Sequence, residues 1–120
     1  MNRQELGKYG EEQAVKYLTR LGFFVIALNY RTRQGEIEVI ATDHNAIHFV
    51  EVKTRRSLTH GYPIEAVNRK KQSHIKQAAR FFLQDMGQSI FRDYDVSFDV
   101  IEVYMQGPKE HSIRFTPQCF

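Results

Sequence analysis

The chain has 120 residues, a net charge of +3 and a single cysteine, Cys119. This length fits one domain spanning residues 1–120, and one cysteine excludes an internal disulfide and a cysteine-based zinc cluster. The sequence has neither the apolar segment of a signal peptide nor the roughly 20 apolar residues of a membrane helix, so we expect a cytoplasmic protein without membrane contacts.

The first half of the chain predicts one helix followed by three strands. Residues 4–21 carry apolar side chains at helical spacing and end before Gly22, as an amphipathic helix does. The β-rich run 23–28 predicts the first strand, and residues 29–35 predict a polar connection. Strands at about 36–42 and 46–54 enclose Asp43-His44-Asn45, a turn cluster that favours an antiparallel hairpin.

The second half predicts a helix and two further strands. After a loop from Ser57 to Pro63, helical spacing runs from Val67 to near Gly87. Residues 94–105 alternate as a strand, and residues 112–115 predict a short last one. The predicted order is therefore α-β-β-β-α-β-β, an α/β fold.

Acidic and basic side chains interrupt the apolar runs of the hairpin. Because alternate side chains of a strand share a face, Glu36 and Glu38 project together, as do Glu51 and Lys53. Ionised carboxylates among apolar neighbours are costly unless they are paired or bind a metal. The alternatives are a strand-entry glutamate that reaches solvent at Glu36, and a salt bridge between Glu51 and Lys53 at a strand end.

These residue types match the needs of phosphodiester hydrolysis. Mg²⁺ prefers oxygen ligands and is usually held by one or two carboxylates together with substrate phosphates. A neighbouring lysine can orient the attacking water and neutralise developing charge. Glu38, Glu51 and Lys53 supply these types, and Glu11, near the apolar side of the first helix, adds a carboxylate unless it is an ordinary solvated glutamate.

The positive charge is concentrated in one segment. Residues 53–80 contain eight basic residues and one acid, Glu65, whereas the rest of the chain has nine basic and thirteen acidic residues. Clustered Lys and Arg predict contacts with nucleic acid, although a solvated helix face would give the same pattern. The predicted contact residues are Arg55, Arg56, Arg69, Lys70, Lys71, Gln72, Lys76 and Arg80. Lys71 begins the inner stripe of its helix and is expected to point toward the acidic site or the scissile phosphate.

Glu38 followed by Glu51-Val52-Lys53 resembles the divided motif of the PD-(D/E)xK nuclease superfamily. A longer match is similar to the YraN family of small bacterial proteins and spans nearly the whole chain. It is carried by Gly7-Lys8-Tyr9-Gly10-Glu11-Glu12, Asn29-Tyr30-Arg31, Gly35-Glu36-Ile37, Phe49-Val50-Glu51-Val52-Lys53-Thr54-Arg55, Gly61-Tyr62-Pro63 and Phe98-Asp99-Val100-Ile101.

The YraN family resembles archaeal Holliday-junction resolvases. This resemblance implies a restriction-endonuclease-like fold, with a central mixed sheet flanked by helices. It also implies a divalent-metal site, for Mg²⁺ or Mn²⁺, built from Glu11, Glu38, Glu51 and Lys53. The chain departs from the usual Gly-Glu-Ile-Asp at Glu38, whose carboxylate stands one methylene further out.

The leading functional hypothesis is a metal-dependent nuclease acting on structured or branched DNA, with DNA favoured over RNA. Glu38 and Glu51 would be ligands, Glu11 would assist the metal or the water, and Lys53 would position the nucleophile. One alternative is a nucleic-acid-binding module with little catalysis, and another is a protein-interaction domain with a basic helix. A homodimer is a further expectation. No Gly-rich phosphate loop, G-x-S-x-G or paired-cysteine motif supports another chemistry.

Overall fold

The computed structural model describes residues 1–56, 62–87, 89–108 and 110–120, and it confirms the predicted α/β class and element order. The two helices are α1 (Arg3–Arg20) and α2 (Arg69–Asp85). The five strands are β1 (Phe24–Arg31), β2 (Glu36–Thr42), β3 (Ala46–Arg55), β4 (Asp95–Met105) and β5 (His111–Thr116). A short 3₁₀ turn, Pro63–Ala66, precedes α2.

The strands form one mixed sheet in the order β1-β2-β3-β4-β5. Only β3 and β4 are parallel, and α2 lies between them in the chain, as a parallel connection requires. The predicted hairpin of β2 and β3 is antiparallel. Its turn is fixed by Asp43, whose Oδ1 accepts hydrogen bonds from the N–H groups of Asn45 and Ala46, both at 2.7 Å.

Helix α1 covers one face of the sheet. Its N-terminus is closed by a capping box, in which the Asn2 side chain and the Glu5 side chain each accept the other's backbone N–H. Its buried side chains, Ala14 and Leu18, pack on residues that alternate along the central strands, including Val39, Val50 and Val52. Gly22 follows the helix with φ +94°, the left-handed conformation that glycine adopts most readily.

Helix α2 covers the opposite face. Asn68 caps it by accepting a hydrogen bond from the Lys71 N–H at 2.8 Å. The predicted helical spacing is confirmed, since Ile75, Ala78, Ala79 and Phe82 form one buried stripe of α2. This stripe packs against the other alternating set of strand residues, which includes Ile40, Ile47 and Phe49. The sheet is therefore sandwiched between two helices. The apolar cluster on the α2 face lies beneath the helix that carries most of the basic residues.

Three boundaries differ from the sequence prediction, and the first is the start of α2, which lies at Arg69 rather than at Val67. Strand β1 continues to Arg31, through residues predicted to be a connection, because Tyr30 and Arg31 pair with Ile37 and Glu36. The predicted loop of 57–63 lies mostly outside the described residues, and its last residue begins the 3₁₀ turn. No described helix is both long and apolar enough to cross a membrane.

Two glycines let the helices approach the strands that carry the acids. A Cβ at Gly10 of α1 would lie 1.8 Å from Thr54 Oγ1 of β3. A Cβ at Gly35, just before β2, would lie 2.9 Å from the Cβ of His74 in α2. Both contacts are closer than side chains permit, so these glycines bring α1 and α2 next to Glu38 and Glu51.

Candidate active site

The site begins where β2 and β3 separate. Their antiparallel ladder runs from the pair Thr42–Ile47 to the pair Val39–Val50. Glu38 is the first residue of β2 beyond the end of this ladder. Beyond this point a side chain replaces the backbone acceptor of the ladder, because Glu38 Oε2 accepts a hydrogen bond from the Val52 N–H at 2.6 Å. The carboxylate is thereby held at the opening between the two strands.

An open cavity of about 340 Å³ lies in front of this opening. Its lining residues are Gly35, Glu36, Glu38, Glu51, Asn68, Lys70, Lys71, His74 and Ile75. The strands contribute the acids, whereas the first turns of α2 contribute the basic side chains. The cavity therefore has an acidic wall facing a basic wall, which suits a ligand that contains both a cation and an anionic group.

Glu51 is the most deeply buried acid of this cavity. Its side chain is 3% exposed, and Lys71 Nζ lies 2.9 Å from its Oε2. This ammonium is the close charged neighbour of a buried oxygen for which the described residues supply no hydrogen bond of good geometry. The ion pair thus differs from the alternative predicted from sequence, in which Lys53 was the partner. A buried carboxylate oxygen without a hydrogen bond is costly, and such atoms occur at functional sites.

The two central acids strongly affect each other. Burial of Glu38, together with the charge of Glu51 and a hydrogen bond to it, raises the pKa of Glu38 to about 9, although the Val52 N–H opposes this shift. The proximity of Glu38 and Glu51 confirms that β2 and β3 bring both motifs together. Two adjacent carboxylates cannot both ionise cheaply, so the pair favours either a shared proton or a bound cation.

Two lysines flank the acids. Burial, together with the charge of Lys71, lowers the pKa of Lys53. Burial also opposes the charge on Lys71, but the neighbouring carboxylate of Glu51 outweighs it, and the pKa of Lys71 is raised. Lys53 of β3 and Lys71 of α2 therefore lie close to each other and close to Glu38 and Glu51.

Glu11 lies beside the site but not within the central pair. With the amide nitrogen of Asn29 facing the acids, Asn29 donates to Glu11 Oε1 at 2.9 Å and to Glu36 Oε1 at 3.1 Å. Burial, and the charges of Glu36 and Glu51, raise the pKa of Glu11. Glu36 itself is exposed and pairs with Arg31 at 3.4 Å, which matches the alternative of a strand-entry residue that reaches solvent. Glu11 and Glu36 form an outer acidic pair joined by Asn29.

Glu38 and Glu51 are the acids of this cavity that could hold a divalent cation if oxygens from outside the chain completed its shell. In the described part of the chain, no three His, Cys, Asp or Glu side chains are arranged to hold a metal among themselves. Glu38 and Glu51 do lie together, and Glu51 Oε2 lacks a hydrogen bond. One or two carboxylates are what Mg²⁺ commonly takes from a protein when phosphate oxygens and water complete its shell.

The predicted nucleic-acid contacts fall into two groups. Arg69, Gln72, Lys76 and Arg80 line one exposed groove on α2, together with Ser73 and Gln77. Lys70 and Lys71 face the cavity instead. The other two predicted contacts are engaged within the chain.

Arg55 and Arg56 already have intramolecular partners. The Nε of Arg55 lies 3.8 Å from buried Glu102, and the Nη2 of Arg56 donates to the Met1 carbonyl at 2.7 Å. Lys76 Nζ also has a partner, since it stands 5.5 Å above the Phe98 ring. The groove on α2 is therefore the exposed part of the basic segment.

Two residues of the site were missed in the sequence analysis. His74 lines the cavity one helical turn after Lys71 and Lys70, so the three- and four-residue spacing could have identified it. Asn29 joins the outer acids from a left-handed backbone position, φ +50°, which asparagine tolerates better than most residues. Its side-chain direction depends on that conformation, and the sequence alone does not predict it.

Comparisons with known proteins match almost the entire chain. The family described as "Uncharacterised protein family UPF0102" matches residues 10–103. A UPF0102 protein of Caldicellulosiruptor saccharolyticus is 46% identical over 110 residues, covering 92% of this chain and 91% of that protein. UPF0102 proteins of Alkaliphilus oremlandii and Dictyoglomus turgidum are 45% and 38% identical, each over 122 residues and 100% of both chains.

Proposed function

The chain belongs to the UPF0102 family, which confirms the resemblance to YraN proteins, and we propose that it is a divalent-metal-dependent nuclease that hydrolyses phosphodiester bonds in structured or branched DNA. One observation carries the proposal. The half-buried carboxylate of Glu38 and the buried carboxylate of Glu51 face the lysines of α2 across a single open cavity. A phosphate bridged to a cation is complementary to both walls.

Glu38 and Glu51 would hold Mg²⁺ or Mn²⁺. When bound, such an ion neutralises charge on the phosphate and lowers the pKa of water. The chain prepares this position by fixing Glu38 on the Val52 N–H and by burying Glu51, so both carboxylates are oriented before the ion arrives. Glu11 is tied to Asn29 at the edge of the site and would assist through water.

Lys53 and the basic wall act on the substrate. Lys53 lies beside Glu51 and orients the water that attacks phosphorus, while Lys71 neutralises the charge that develops on the phosphate oxygens. The new bond joins the water oxygen to phosphorus, and the bond from phosphorus to one sugar oxygen breaks. One proton of the water ends on the departing sugar oxygen and the other remains with the phosphate, so hydrolysis needs no further reactant.

The groove on α2 would carry the flanking DNA. Its cationic side chains, Arg69, Lys76 and Arg80, lie on one face of the helix whose first turns line the cavity. Contacts to phosphates position a duplex without reading its sequence. We therefore expect recognition of DNA structure rather than of base sequence.

A nucleic-acid-binding module with little catalysis is the second candidate. The observation that favours it is the Lys71 ammonium, which stands 2.9 Å from Glu51 Oε2 and already compensates the carboxylate charge. A protein that uses this ion pair only for stability would bind DNA through the α2 groove without needing a metal. This candidate and the nuclease differ in their response to metal.

The test is cleavage of duplex, flap, single-stranded and four-way-junction DNA in Mg²⁺, Mn²⁺ or EDTA. The nuclease proposal predicts metal-dependent products with at least one structured substrate, which Glu51→Gln loses while retaining DNA binding. Binding to DNA without cleavage in either metal would favour the second candidate. Products that form equally well in EDTA would reject the assigned chemistry.

A further inference from the structure

We propose that Lys71 is a tethered counter-cation, which neutralises Glu51 while no divalent ion is bound and yields its place to the ion when DNA arrives. The inference rests on the proposed function of the same cavity. It assigns to Lys71 a regulatory role in metal binding, in addition to its contact with phosphate. The ion pair of Lys71 with Glu51 then lowers the affinity for metal until substrate is present.

The two partners of this ion pair are held very differently. Glu51 extends from the central strand β3 and is 3% exposed, whereas Lys71 lies in the first turn of α2 and is 42% exposed. Lysine side chains have many rotamers, and an exposed one reorients at little cost. Lys71 is therefore the partner that can leave, while Glu51 stays in place as a fixed acceptor.

The contact between Lys71 and Glu51 is close but does not fully satisfy the carboxylate. Lys71 Nζ reaches within 2.9 Å of Glu51 Oε2, and no hydrogen bond of good geometry satisfies this buried oxygen among the described residues. A buried ion pair stabilises a fold only when hydrogen bonds also satisfy its atoms. The contact therefore compensates charge and leaves the oxygen available to a better-placed cation.

The charges of the cavity explain why the acids need Lys71 while no divalent ion is bound. Glu38 and Glu51 lie side by side, and without a divalent ion the pair is accommodated by a proton on Glu38 together with the Lys71 ammonium at 2.9 Å from Glu51 Oε2. A divalent ion would replace the proton and the ammonium at once and let both carboxylates ionise. The described structure thus contains a partial compensation for a carboxylate pair that a divalent ion would satisfy completely.

A displaced Lys71 has a place to go. Lys70 and His74 line the same cavity, so the ammonium would remain on the basic wall, where a phosphate can take over from Glu51 as its anionic partner. A DNA phosphate would therefore draw Lys71 away from Glu51, and the metal would gain a free carboxylate. By linkage, DNA must raise metal affinity by the same factor by which metal raises DNA affinity.

Calorimetric titration with Mn²⁺ tests this competition without DNA and without turnover. We compare the wild type with Lys71→Gln, Lys71→Arg, Lys70→Gln and Glu51→Gln. Lys71→Gln should bind Mn²⁺ about tenfold more tightly than the wild type, which corresponds to removing about 1.4 kcal/mol of competition. Lys71→Arg keeps the cation and should resemble the wild type, and Glu51→Gln should lose binding.

Lys70→Gln is the matched control, because it removes the same charge from the neighbouring residue of the same wall. Equal tightening in Lys70→Gln and Lys71→Gln would overturn the inference, since a general field would then explain both. Unchanged affinity in Lys71→Gln, with binding lost in Glu51→Gln, would also overturn it while leaving the nuclease proposal intact. Mn²⁺ binding in none of the DNA-free proteins, Lys71→Gln included, would overturn the exchange and leave the nuclease proposal to the cleavage assay. Selective tightening in Lys71→Gln without DNA cleavage would reject only the nuclease.

A melting curve for each variant guards against misfolding. Loss of the only ammonium within 4 Å of Glu51 in the described residues is expected to lower the melting temperature of Lys71→Gln in EDTA. Saturating Mn²⁺ should restore that loss more fully than it stabilises the wild type. A Lys71→Gln protein that is unfolded in EDTA and is not rescued by Mn²⁺ would contradict the exchange, because Lys71 would then be structural.

Discussion

The Glu38 carboxylate accepts a hydrogen bond from the Val52 N–H at 2.6 Å, just where the ladder between β2 and β3 has ended. The side chain supplies an acceptor that the departing strand no longer offers. This contact fixes the carboxylate at the opening of the sheet. It also uses the full length of the glutamate side chain, since the carboxylate reaches from β2 to an N–H of β3.

Replacing Glu38 by aspartate should separate the hydrogen bond to Val52 from metal binding and catalysis. Aspartate is too short to keep the Val52 contact with this backbone, so the free energy of unfolding should fall by about 1 kcal/mol, the typical value of one hydrogen bond. Metal binding and turnover should be retained or raised. Chemical denaturation and Mn²⁺ titration measure the two effects, and Glu36→Asp, at an exposed neighbouring acid, is the control. A loss of metal binding with unchanged stability would contradict this reasoning.

Glu38→Gln should stabilise the protein while impairing the site. The amide oxygen can still accept the Val52 N–H, and glutamine removes the cost that the wild type incurs at pH 7.5, where the neighbouring Glu51 forces Glu38 to take up a proton on folding. We expect a gain of about 1 kcal/mol, or about 4 °C in melting temperature, in EDTA at pH 7.5. Mn²⁺ affinity should fall sharply. A melting temperature equal to or below that of the wild type would argue against repulsion between the acids.

Lys53→Ala should abolish catalysis and leave the fold intact. Lys53 is half-buried beside the acids, and it acts through its charge rather than through the packing of the core. Single-turnover cleavage should slow by at least about 100-fold, the usual scale for loss of a positioned catalytic group. Lys16→Ala, an exposed lysine of α1, should cleave at the wild-type rate. A Lys53→Ala protein with undiminished cleavage would remove this residue from the mechanism.

The groove on α2 predicts a salt-dependent affinity for DNA. Each phosphate contact contributes about 0.9 to the slope of log affinity against log salt, so Arg69→Gln, Lys76→Gln and Arg80→Gln together should flatten the slope by up to about 2.7. Fluorescence anisotropy across a salt series measures it. Because Lys76 also stands over the ring of Phe98, the triple variant should lose a little stability as well.

The matched control removes the same charge from the opposite helix. Lys8, Lys16 and Arg20 are exposed on α1, so replacing all three by glutamine changes the net charge equally. This control should retain most of the wild-type slope. If both triple variants weaken binding alike, net charge rather than the α2 groove accounts for the affinity.

A buried histidine at the other end of the sheet predicts how stability depends on pH. His48 Nδ1 lies 2.5 Å from Asp99, and its Nε2 lies 3.0 Å from Asp43. Burial alone lowers the pKa of His48, but the two carboxylates outweigh burial and raise it above the ordinary 6.5. The imidazolium therefore contributes stability that is complete below about 6.5 and is lost as the pH rises through the pKa of the folded state.

Melting curves from pH 5.5 to 9 test that sign. The wild type should lose stability relative to His48→Gln as the pH rises through this range. The pKa of Asp43 is lowered, since three hydrogen bonds and the charge of His48 outweigh its burial, so its contribution disappears only at acidic pH, below about 3.8. A difference between the two proteins that stays constant, or that grows with pH, would contradict the assignment.

Most of the fold could be predicted because the patterns are local. Val67 through Leu83 repeats at helical spacing, and Asp43-His44-Asn45 contains its own turn acceptor, so α2 and the hairpin follow from short windows of sequence. The extension of β1 to Arg31 could not be predicted in this way. Its residues Tyr30 and Arg31 are held by pairing with Ile37 and Glu36, which is a tertiary contact.

In the site, too, the local patterns could be predicted and the tertiary contacts could not. Strand alternation placed Glu36 with Glu38 and predicted the meeting of Glu38 and Glu51. The pairing of Glu51 with Lys71 depends on the packing of α2 against β2, which Gly35 permits by its close approach to His74. No periodicity in the sequence encodes that distance.

A phosphorothioate substitution at the cleaved phosphate tests the central claim most directly. Sulfur binds Mg²⁺ poorly and Mn²⁺ better, because Mg²⁺ prefers hard oxygen ligands. If Glu38 and Glu51 hold the ion against the phosphate, the sulfur substrate should be cleaved slowly in Mg²⁺ and recover in Mn²⁺, and Glu51→Gln should be inactive in both. Cleavage of the sulfur and oxygen substrates at equal rates in Mg²⁺, or activity retained by Glu51→Gln, would contradict the account.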